Sequence, residues 1–263
     1  MSVEYAPRGL VGVLTPQANT TVEPEYAILM PPGVAWLNAR MTSPFGTIEE
    51  RLLDYFGNVH RFAKQYANAP IGSLAFACTG TSYLAGVKRE DEVLAELTEM
   101  LGVPAMSAAS SVVQALNLLG ASKIALVSPY SGALDEACSP YWSDRGFDVV
   151  VNMSAARESQ EFHPIYSLPS GAAQMALDQL AGGDFDAVVM LGTGMPTLLP
   201  IARTPYGGRA PVMSCMLCIV WASVAAARGE ALTRESLLEW IEANHWRDRI
   251  EALEYSRKAA TNM

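Results

Sequence analysis

The chain carries the same series of short segments twice, and this internal repeat limits the folds that it can adopt. GVLTP, FACTG and PAMS of the first half correspond to ALVSPY, MLGTG and PVMS of the second, at 12–16, 76–80, 104–107, 125–130, 190–194 and 211–214. Pro16 and Gly80 are 64 residues apart, and Pro129 and Gly194 are 65 apart, so the two series run in register. The repeat therefore predicts a duplicated fold.

Short apolar runs alternate along the chain with segments of helical periodicity. The predicted strands are 9–14, 34–38, 71–77, 103–106, 123–127, 147–152, 187–191 and 211–213. The first predicted helix begins near residue 20 or 21. The other predicted helices are 48–66, 90–101, 110–119, 134–144, 171–180 and 219–227. Strands that alternate with helices indicate parallel sheets covered on both faces.

With two copies, this pattern predicts an α/β fold of two pseudosymmetric, doubly wound parallel-sheet lobes. The active site is expected between the lobes, beyond the carboxyl ends of the strands. The expected boundaries are 1–115 for the first lobe, 116–228 for the second, and 229–263 for a C-terminal packing helix and tail. That helix is a candidate to complete the first lobe.

Composition and charge argue against several classes of protein. Half of the 263 residues are hydrophobic and 17% are charged, which suits a compact enzyme. The net charge of −9 includes no stripe of Lys and Arg, so no nucleic-acid partner is expected. No apolar run approaches the roughly 20 residues of a membrane-spanning helix, and residues 1–7 do not resemble a signal peptide. With four cysteines expected as reduced thiols, the sequence predicts a cytoplasmic protein without a membrane partner. Whether the chain forms a homo-oligomer is left open at this point.

One position breaks the repeat. The counterpart of Cys78, which ends a predicted strand, is Gly192. A cavity between the lobes would therefore receive a thiol from one side only. Backbone N–H groups and a helix after such a turn favour an anion and lower the pKa of a thiol, so we expect Cys78 to be catalytic. The competing interpretation is a small buried hydrophobic residue, the usual state of a free cysteine.

Two further turns carry polar side chains that could bind a carboxylate. The amide and hydroxyls of 19–21 follow the first strand, although these residue types also cap helices. Tyr130 lies in the matching turn of the second half, where its phenol could donate to a carboxylate or enolate, or lie half-buried at a loop edge. The segment 192–194 resembles part of a phosphate loop, but the rest of that motif is missing, so nucleotide binding is not expected.

The remaining cysteines and the histidines form no metal motif. Cys215 and Cys218 are a lone C-x-x-C pair that opens an apolar segment, and Cys138 lies in a predicted helix, so all three are expected in the core. The three histidines share no ligand spacing. His163 lies in a polar loop, 157–169, that could cover the cleft or simply lie at the surface. We expect neither a metal nor a cofactor.

On these residues the sequence resembles the aspartate/glutamate racemase superfamily and, within it, the branch of maleate cis-trans isomerases and arylmalonate decarboxylases. The resemblance covers about residues 8–228, and its carriers are the segments 15–25, 78–82, 128–130, 194–197 and 211–214. It implies a site without cofactor or metal between two lobes, which acts on a small carboxylate or dicarboxylate. It also implies that Asn19 binds a carboxylate, that Tyr130 hydrogen-bonds the substrate, and that Thr79 and Gly80 line an oxyanion pocket.

The chain departs from the family pattern at the second cysteine. Isomerases and racemases of this family have a cysteine where Gly192 stands here. Arylmalonate decarboxylases keep that cysteine and have glycine at the position of Cys78. The chain is thus the mirror of the decarboxylase arrangement within an isomerase-like sequence. Because two-base racemisation needs a proton donor on each face, amino-acid racemisation is not expected.

Three functions stay open at this point. The first is a cofactor-independent lyase that decarboxylates a small malonate- or enedioate-like acid through an enediolate that Cys78 protonates. The second is a maleate-type cis-trans isomerase with Cys78 as covalent nucleophile and Tyr130 or water as the acid. The third is a carboxylate-binding protein without catalysis. In the first, donors would hold the enediolate at Thr79, Gly80, Tyr130, Thr193 and Gly194, and Asn19 and Gly192 would complete the binding residues.

Overall fold

The computed structural model describes residues 3–156 and 164–261, with side chains described for 3–156 and 165–257. Within these ranges the strands are β1 (Gly9–Pro16), β2 (Val34–Met41), β3 (Ser73–Phe76), β4 (Ala105–Ser107), β5 (Lys123–Ser128), β6 (Asp148–Ser154), β7 (Ala187–Met190), β8 (Tyr206–Gly207) and β9 (Ala210–Ser214). They form two sheets, of order β2-β1-β3-β4 and β6-β5-β7-β9-β8. Every pairing is parallel except that of β8 with β9.

The predicted α/β class and the two lobes are confirmed, and the two halves of the repeat take equivalent places. β1 and β5 each lie between the next two strands of their own half. β3, β7 and β9 are buried along their whole length. Helices cover both faces of each sheet, and for that reason near-continuous apolar runs form these strands instead of alternating ones.

The helices flank the sheets and connect their strands. They are α1 (Val22–Leu29), α2 (Ile48–Gly57), α3 (Val59–Ala63), α4 (Thr79–Ala85), α5 (Val87–Leu101), α6 (Ala108–Leu119), α7 (Gly132–Glu136), α8 (Cys138–Asp144), α9 (Ser170–Asp178), α10 (Leu198–Arg203), α11 (Cys215–Arg228), α12 (Arg234–Ile241) and α13 (Arg247–Thr261). Short 3-10 helices occur at Lys64–Tyr66 and Pro164–Ser167. Among the described residues, no helix combines the length and apolarity needed to cross a membrane.

Several elements differ from their predicted extents. The single helix predicted over 48–66 is α2, α3 and a 3-10 turn, because the backbone leaves helical geometry at Asn58 (φ −107°, ψ 9°). The helix predicted over 134–144 is divided at Ala137 into α7 and α8. The apolar pattern does not predict α4 and α10, which are only seven and six residues long, or the two-residue strand β8. Elements this short do not establish a period.

The chain after β9 returns to the first sheet. Ser73 on β3 donates a hydrogen bond from Oγ to the Ser223 carbonyl oxygen of α11 (2.8 Å). A Cβ at Gly72 would lie 2.9 Å from the Ala227 backbone of the same helix, so this close approach requires glycine. A helix that follows the last long strand of the second sheet therefore packs on the first. The predicted lobe boundaries stay a prediction.

An ion pair with a buried carboxylate and a helix cap also join the two halves. The Arg145 guanidinium of the second half contacts the buried Glu90 carboxylate of α5 at 2.6 Å. Glu25 of α1, also buried, accepts hydrogen bonds at Oε1 from the backbone N–H groups of Thr197 (2.8 Å) and Leu198 (3.4 Å), which begin α10. Each of these contacts joins a residue of the first half of the repeat to a residue of the second.

Candidate active site

A cavity lies where the carboxyl ends of β1, β3, β5 and β7 face each other. All eight residues predicted for the site line it: Asn19, Cys78, Thr79, Gly80, Tyr130, Gly192, Thr193 and Gly194. The other lining residues are Pro16, Ile48, Arg51, Leu52, Tyr55, Leu134, Ile165 and Tyr166. The structure thus brings the predicted residues together, while their chemical roles stay predictions.

Cys78 is at the N-terminus of α4 and is only 4% exposed. Backbone N–H groups of Gly80 and Thr81 point to it and favour its thiolate, as expected, but burial has the larger effect and raises the pKa of the thiol to about 11. The expectation of a lowered pKa is therefore wrong. Cys78 lines a cavity with apolar walls, which include Leu52 and Leu134, and such surroundings disfavour the charged form of a thiol.

Asn19 performs the capping that was weighed as the alternative to carboxylate binding. Its Oδ1 accepts hydrogen bonds from the backbone N–H groups of Thr21 (2.8 Å) and Val22 (3.0 Å), at the start of α1. Its Nδ2 donates to the Thr193 carbonyl oxygen across the cavity (3.2 Å). Thr193 in turn donates from Oγ1 to the Ala77 carbonyl oxygen (2.9 Å). These two lining residues therefore link the lobes, and carboxylate binding by Asn19 stays a prediction.

The phenol of Tyr130 stands on the side of the cavity where Gly192 lacks a side chain. Tyr130 is buried and packs edge-on against Tyr83 at 5.9 Å between ring centroids. Gly192 has φ +78°, and a Cβ there would lie 3.0 Å from Cγ of Pro129 and 3.1 Å from Oη of Tyr130. Burial raises the pKa of Tyr130 well above its ordinary value, and the nearby thiols add to that rise. Tyr130 therefore keeps its proton and can act as a donor.

Arg51 is a lining residue that the sequence analysis missed. It lies on α2, is 1% exposed, and donates from Nε to the Thr47 carbonyl oxygen (3.1 Å). The signal was present, because Ile48, Arg51, Leu52 and Tyr55 follow helical spacing and put one basic residue into an otherwise apolar stripe. Among the described lining residues Arg51 carries the only charge, so the cavity favours an anion.

The loop predicted to cover the cleft contributes to the cavity through its described end. Ile165 and Tyr166 line the cavity, and the Tyr166 carbonyl oxygen accepts a hydrogen bond from Thr20 Oγ1 (3.2 Å). Burial raises the pKa of Tyr166. His163 lies outside the described residues.

The remaining cysteines are buried. Cys138 lies in α8, and Cys215 and Cys218 begin α11. Within residues 3–156 and 164–261 no group of three or more His, Cys, Asp or Glu side chains is placed to hold a metal ion. Independence from metals and cofactors stays a prediction.

Comparison with known proteins identifies the family. Residues 11–236 match the family model described as arylmalonate decarboxylase. The chain belongs to this family. Among characterised relatives, maleate isomerase of Pseudomonas putida is 24% identical over 238 residues, which cover 82% of this chain and 90% of the relative. Maleate isomerase of Nocardia farcinica is 25% identical over 202 residues, 74% of this chain and 80% of the relative.

Solved structures of both enzyme types share the fold. Maleate isomerase Iso from Pseudomonas putida S16 superposes with a TM-score of 0.74 at 21% identity, covering 83% of this chain and 92% of that one. A double mutant of arylmalonate decarboxylase in a liganded form, with glycine changed to cysteine and cysteine to serine, also gives 0.74, at 18% identity and 88% and 97% coverage. The chain is thus an enzyme of the branch that contains arylmalonate decarboxylases and maleate isomerases.

Proposed function

We propose that this enzyme decarboxylates a small malonate- or enedioate-like carboxylic acid without a cofactor. One observation carries the proposal: Cys78 contributes a thiol to a cavity whose opposite turn, at Gly192, contributes no side chain. Burial keeps that thiol protonated, with a pKa of about 11. A protonated thiol suits a reaction that needs one acid on one face of the substrate.

The reaction consists of two steps with balanced charge. In the first, for a malonate-like substrate whose two carboxylates share the α-carbon, the bond between that carbon and one carboxylate breaks, CO₂ leaves, and the bonding electrons pass into the remaining carboxylate as an enediolate. In the second, Cys78 transfers its proton to the α-carbon, and water later reprotonates the thiolate. N–H groups of Gly80 and Thr81 stabilise that thiolate while it exists.

Two parts of the cavity would act on the substrate's charges. Arg51 favours binding of an anion. Apolar contacts with Leu52, Leu134 and Ile165 favour the departure of a carboxylate as neutral CO₂, because a charged group is poorly solvated there. The phenol of Tyr130 and the hydroxyl of Thr79 are donors for the enediolate.

Isomerisation of a maleate-like alkene is the second candidate. It is favoured by the characterised maleate isomerase relatives and by a structure of the Nocardia farcinica isomerase in which one cysteine is changed to serine and a succinylcysteine intermediate is covalently bound. By analogy, Cys78 would add to the alkene, and one thiol would suffice for the adduct. This step needs the thiolate, which burial of Cys78 disfavours.

The test is a parallel assay with a disubstituted malonate and with maleate. Malonate labelled with ¹³C in its carboxyl groups should yield labelled CO₂ and bicarbonate by NMR, while maleate should yield no fumarate. Cys78→Ala should abolish turnover, and Cys138→Ala is the matched buried control. Fumarate without CO₂ would establish the isomerase instead, and ligand-induced stabilisation without either product would indicate carboxylate binding alone. Loss of activity after dialysis against EDTA, with recovery on adding metal, would contradict independence from metals.

The anion preference is tested separately at Arg51. Arg51→Lys keeps the charge and should raise KM by less than about tenfold. Arg51→Gln should raise KM by about 10–100-fold, the value of a charge-assisted hydrogen bond of roughly 1.5–3 kcal/mol. Arg61→Gln on α3, outside the cavity lining, is the control. Equal KM values for Arg51→Gln and the parent enzyme would contradict a role in binding.

A further inference from the structure

Gly80 and Gly194 hold equivalent places in the repeat, and side chains from outside their turns cover both of them. A Cβ at Gly80 would lie 2.9 Å from Cδ1 of Leu52 and 3.4 Å from both methyl carbons of Leu134. A Cβ at Gly194 would lie 2.5 Å from Cε1 and 2.6 Å from Cδ1 of Tyr166. All three covering side chains line the cavity. The aromatic ring of Tyr166 therefore lies directly against the turn after β7 and forms one wall of the cavity.

Two consecutive threonines fix the position of this wall. Tyr166 belongs to the short 3-10 helix Pro164–Ser167, and its carbonyl oxygen accepts a hydrogen bond from Oγ1 of Thr20 (3.2 Å). Oγ1 of Thr21 donates to the carbonyl oxygen of Gly194 (2.7 Å). Because the threonines are neighbours in the chain, the segment before α1 holds both Tyr166 and Gly194. The ring is thus kept on the glycine by hydrogen bonds to the backbone on each side.

Little free space remains beside the Tyr166 ring. The cavity has a free volume of about 40 Å³. A single water molecule needs about 10–15 Å³, and an apolar cavity of about 150 Å³ binds a benzene ring. A neighbouring space of about 70 Å³ shares the side chains of Ile48, Tyr130, Leu134 and Ile165 with the cavity. The two spaces together are still smaller than a benzene site, so an acid with an aromatic substituent does not fit while the ring keeps its place.

We propose that Tyr166 is the specificity-determining residue of the site and limits the size of the substrate. The site accepts acids that carry only hydrogen or small alkyl groups beside their carboxylates, which in the proposed reaction are alkylmalonates. Arg51 favours any anion and so does not distinguish these acids from one another, whereas contact with the Tyr166 ring depends on the substituent. The proposal rests on the proposed function, because it names the substrate class of that reaction.

Turnover of three malonates tests the size limit. The parent enzyme should decarboxylate methylmalonate and leave phenylmalonate unchanged. Its kcat/KM for ethylmalonate should be at least about tenfold lower than for methylmalonate, the effect of one methylene in a closed pocket. Tyr166→Ala should decarboxylate phenylmalonate and lose most of the difference between the two alkylmalonates, and Tyr166→Leu should lie between Tyr166→Ala and the parent.

Two control variants separate the size of the ring from other effects. Tyr166→Phe keeps the ring without the hydroxyl and should keep the parent's order of substrates. Tyr206→Ala removes a ring outside the cavity lining and should also keep that order. Circular dichroism verifies that each variant is folded.

Equilibrium binding separates failure of this inference from failure of the proposed function. Calorimetric titration of Cys78→Ser, in which a hydroxyl of similar size replaces the thiol, should detect methylmalonate and not phenylmalonate. The double variant Cys78→Ser/Tyr166→Ala should bind both. A preference for methylmaleate over phenylmaleate that depends on Tyr166, without CO₂ from any malonate, would uphold the size limit and contradict the decarboxylase. Equal binding of the methyl and phenyl acids by Cys78→Ser, binding of none of these acids, or an unchanged preference after Tyr166→Ala would overturn the proposal.

Discussion

The turns after β3 and β7 hold equivalent places in the two sheets, with sequences that differ at one position of three: Cys-Thr-Gly at 78–80 and Gly-Thr-Gly at 192–194. After β3 the chain enters α4 at once, at Thr79. After β7 it turns through Gly192 with φ +78° and reaches α10 only at Leu198. The first turn therefore presents a thiol with backbone donors, and the second presents an open side that the Tyr130 phenol borders.

The first turns of α4 and α10 also differ in the group that accepts hydrogen bonds from their backbone N–H groups. Backbone N–H groups at the start of α4 point to the Cys78 thiol inside the cavity. Those at the start of α10 are satisfied by the Glu25 carboxylate from the other half of the chain. Duplication thus supplied two similar turns, of which one serves the proposed chemistry and the other holds the lobes together. The following variants test this division, from the largest expected effect to the smallest.

Removal of the thiol should have the largest effect. Cys78→Ala should lower kcat by at least about 10³-fold, the loss expected for an acid or nucleophile. Cys138→Ala should leave kcat nearly unchanged. Retention of more than about a tenth of the activity by Cys78→Ala would refute the assignment of the first turn as the chemical one.

The dependence on pH distinguishes the two ways in which Cys78 can act. As an acid it is active while protonated, so kcat should stay level through neutral pH and fall only as pH approaches the thiol's pKa of about 11. As a nucleophile it is active as thiolate, so the rate should rise with pH over the same range. The measurement is the kcat profile up to the pH at which unfolding begins, followed by circular dichroism. A rising limb would favour the isomerase.

Loss of the second-lobe donor should cost less. Tyr130→Phe should lower kcat by about 10²-fold, the lower end for an oxyanion donor, while the ring keeps its packing against Tyr83. Tyr83→Phe, outside the cavity lining, should change kcat by less than about twofold. Similar rates for Tyr130→Phe and the parent enzyme would show that the second side supplies no donor.

Restoring a thiol to the open side should change stereochemistry at a cost in stability. Gly192→Cys places an L-residue at positive φ, at about 1–2 kcal/mol, and its Cβ against Tyr130. The parent enzyme should label one face of the product α-carbon in D₂O by proton NMR, and the folded variant should gain label on the second face. Gly208→Cys, with φ +71° and no contact within 4 Å, is the control for backbone strain. Labelling of one face by a folded Gly192→Cys enzyme would count against opposed turns.

Removal of the cross-lobe cap should have the smallest effect on activity and a clear effect on stability. Burial raises the pKa of Glu25 from 4.5 to about 7, so the folded protein binds this proton more tightly than the unfolded chain. Its contribution to stability is present below pH 4.5 and is lost as pH rises to about 7. The free energy of unfolding of Glu25→Gln, measured in urea, should lack this decline, whereas that of Glu23→Gln, partly exposed on the same helix, should keep it. If the free energy of unfolding changed equally with pH in the parent protein and in both variants, the raised pKa of Glu25 would be contradicted.

The sequence alone determined the architecture and half of the residues that line the cavity. Buried parallel strands read as apolar runs, and the carboxyl ends of such strands gather at one edge, so eight residues as far apart as Asn19 and Gly194 were assigned to one site. Short elements such as α4 and β8 were not predictable, because a period needs more residues than they contain. Arg51 was missed because a basic residue on an amphipathic helix is ordinarily at the surface.

Only the tertiary structure decided the protonation state of the Cys78 thiol and which side chain borders Gly192. Whether donors near Cys78 or its burial sets the thiol's pKa depends on the packing around the cavity, whose lining residues come from distant segments. Likewise, local sequence does not reveal that the Tyr130 phenol borders Gly192. The pattern of strands along the chain predicts the edge of the sheet at which a residue lies. The desolvation of a side chain and its contacts depend on all of its neighbours in space, and only the packing of the folded chain brings these together.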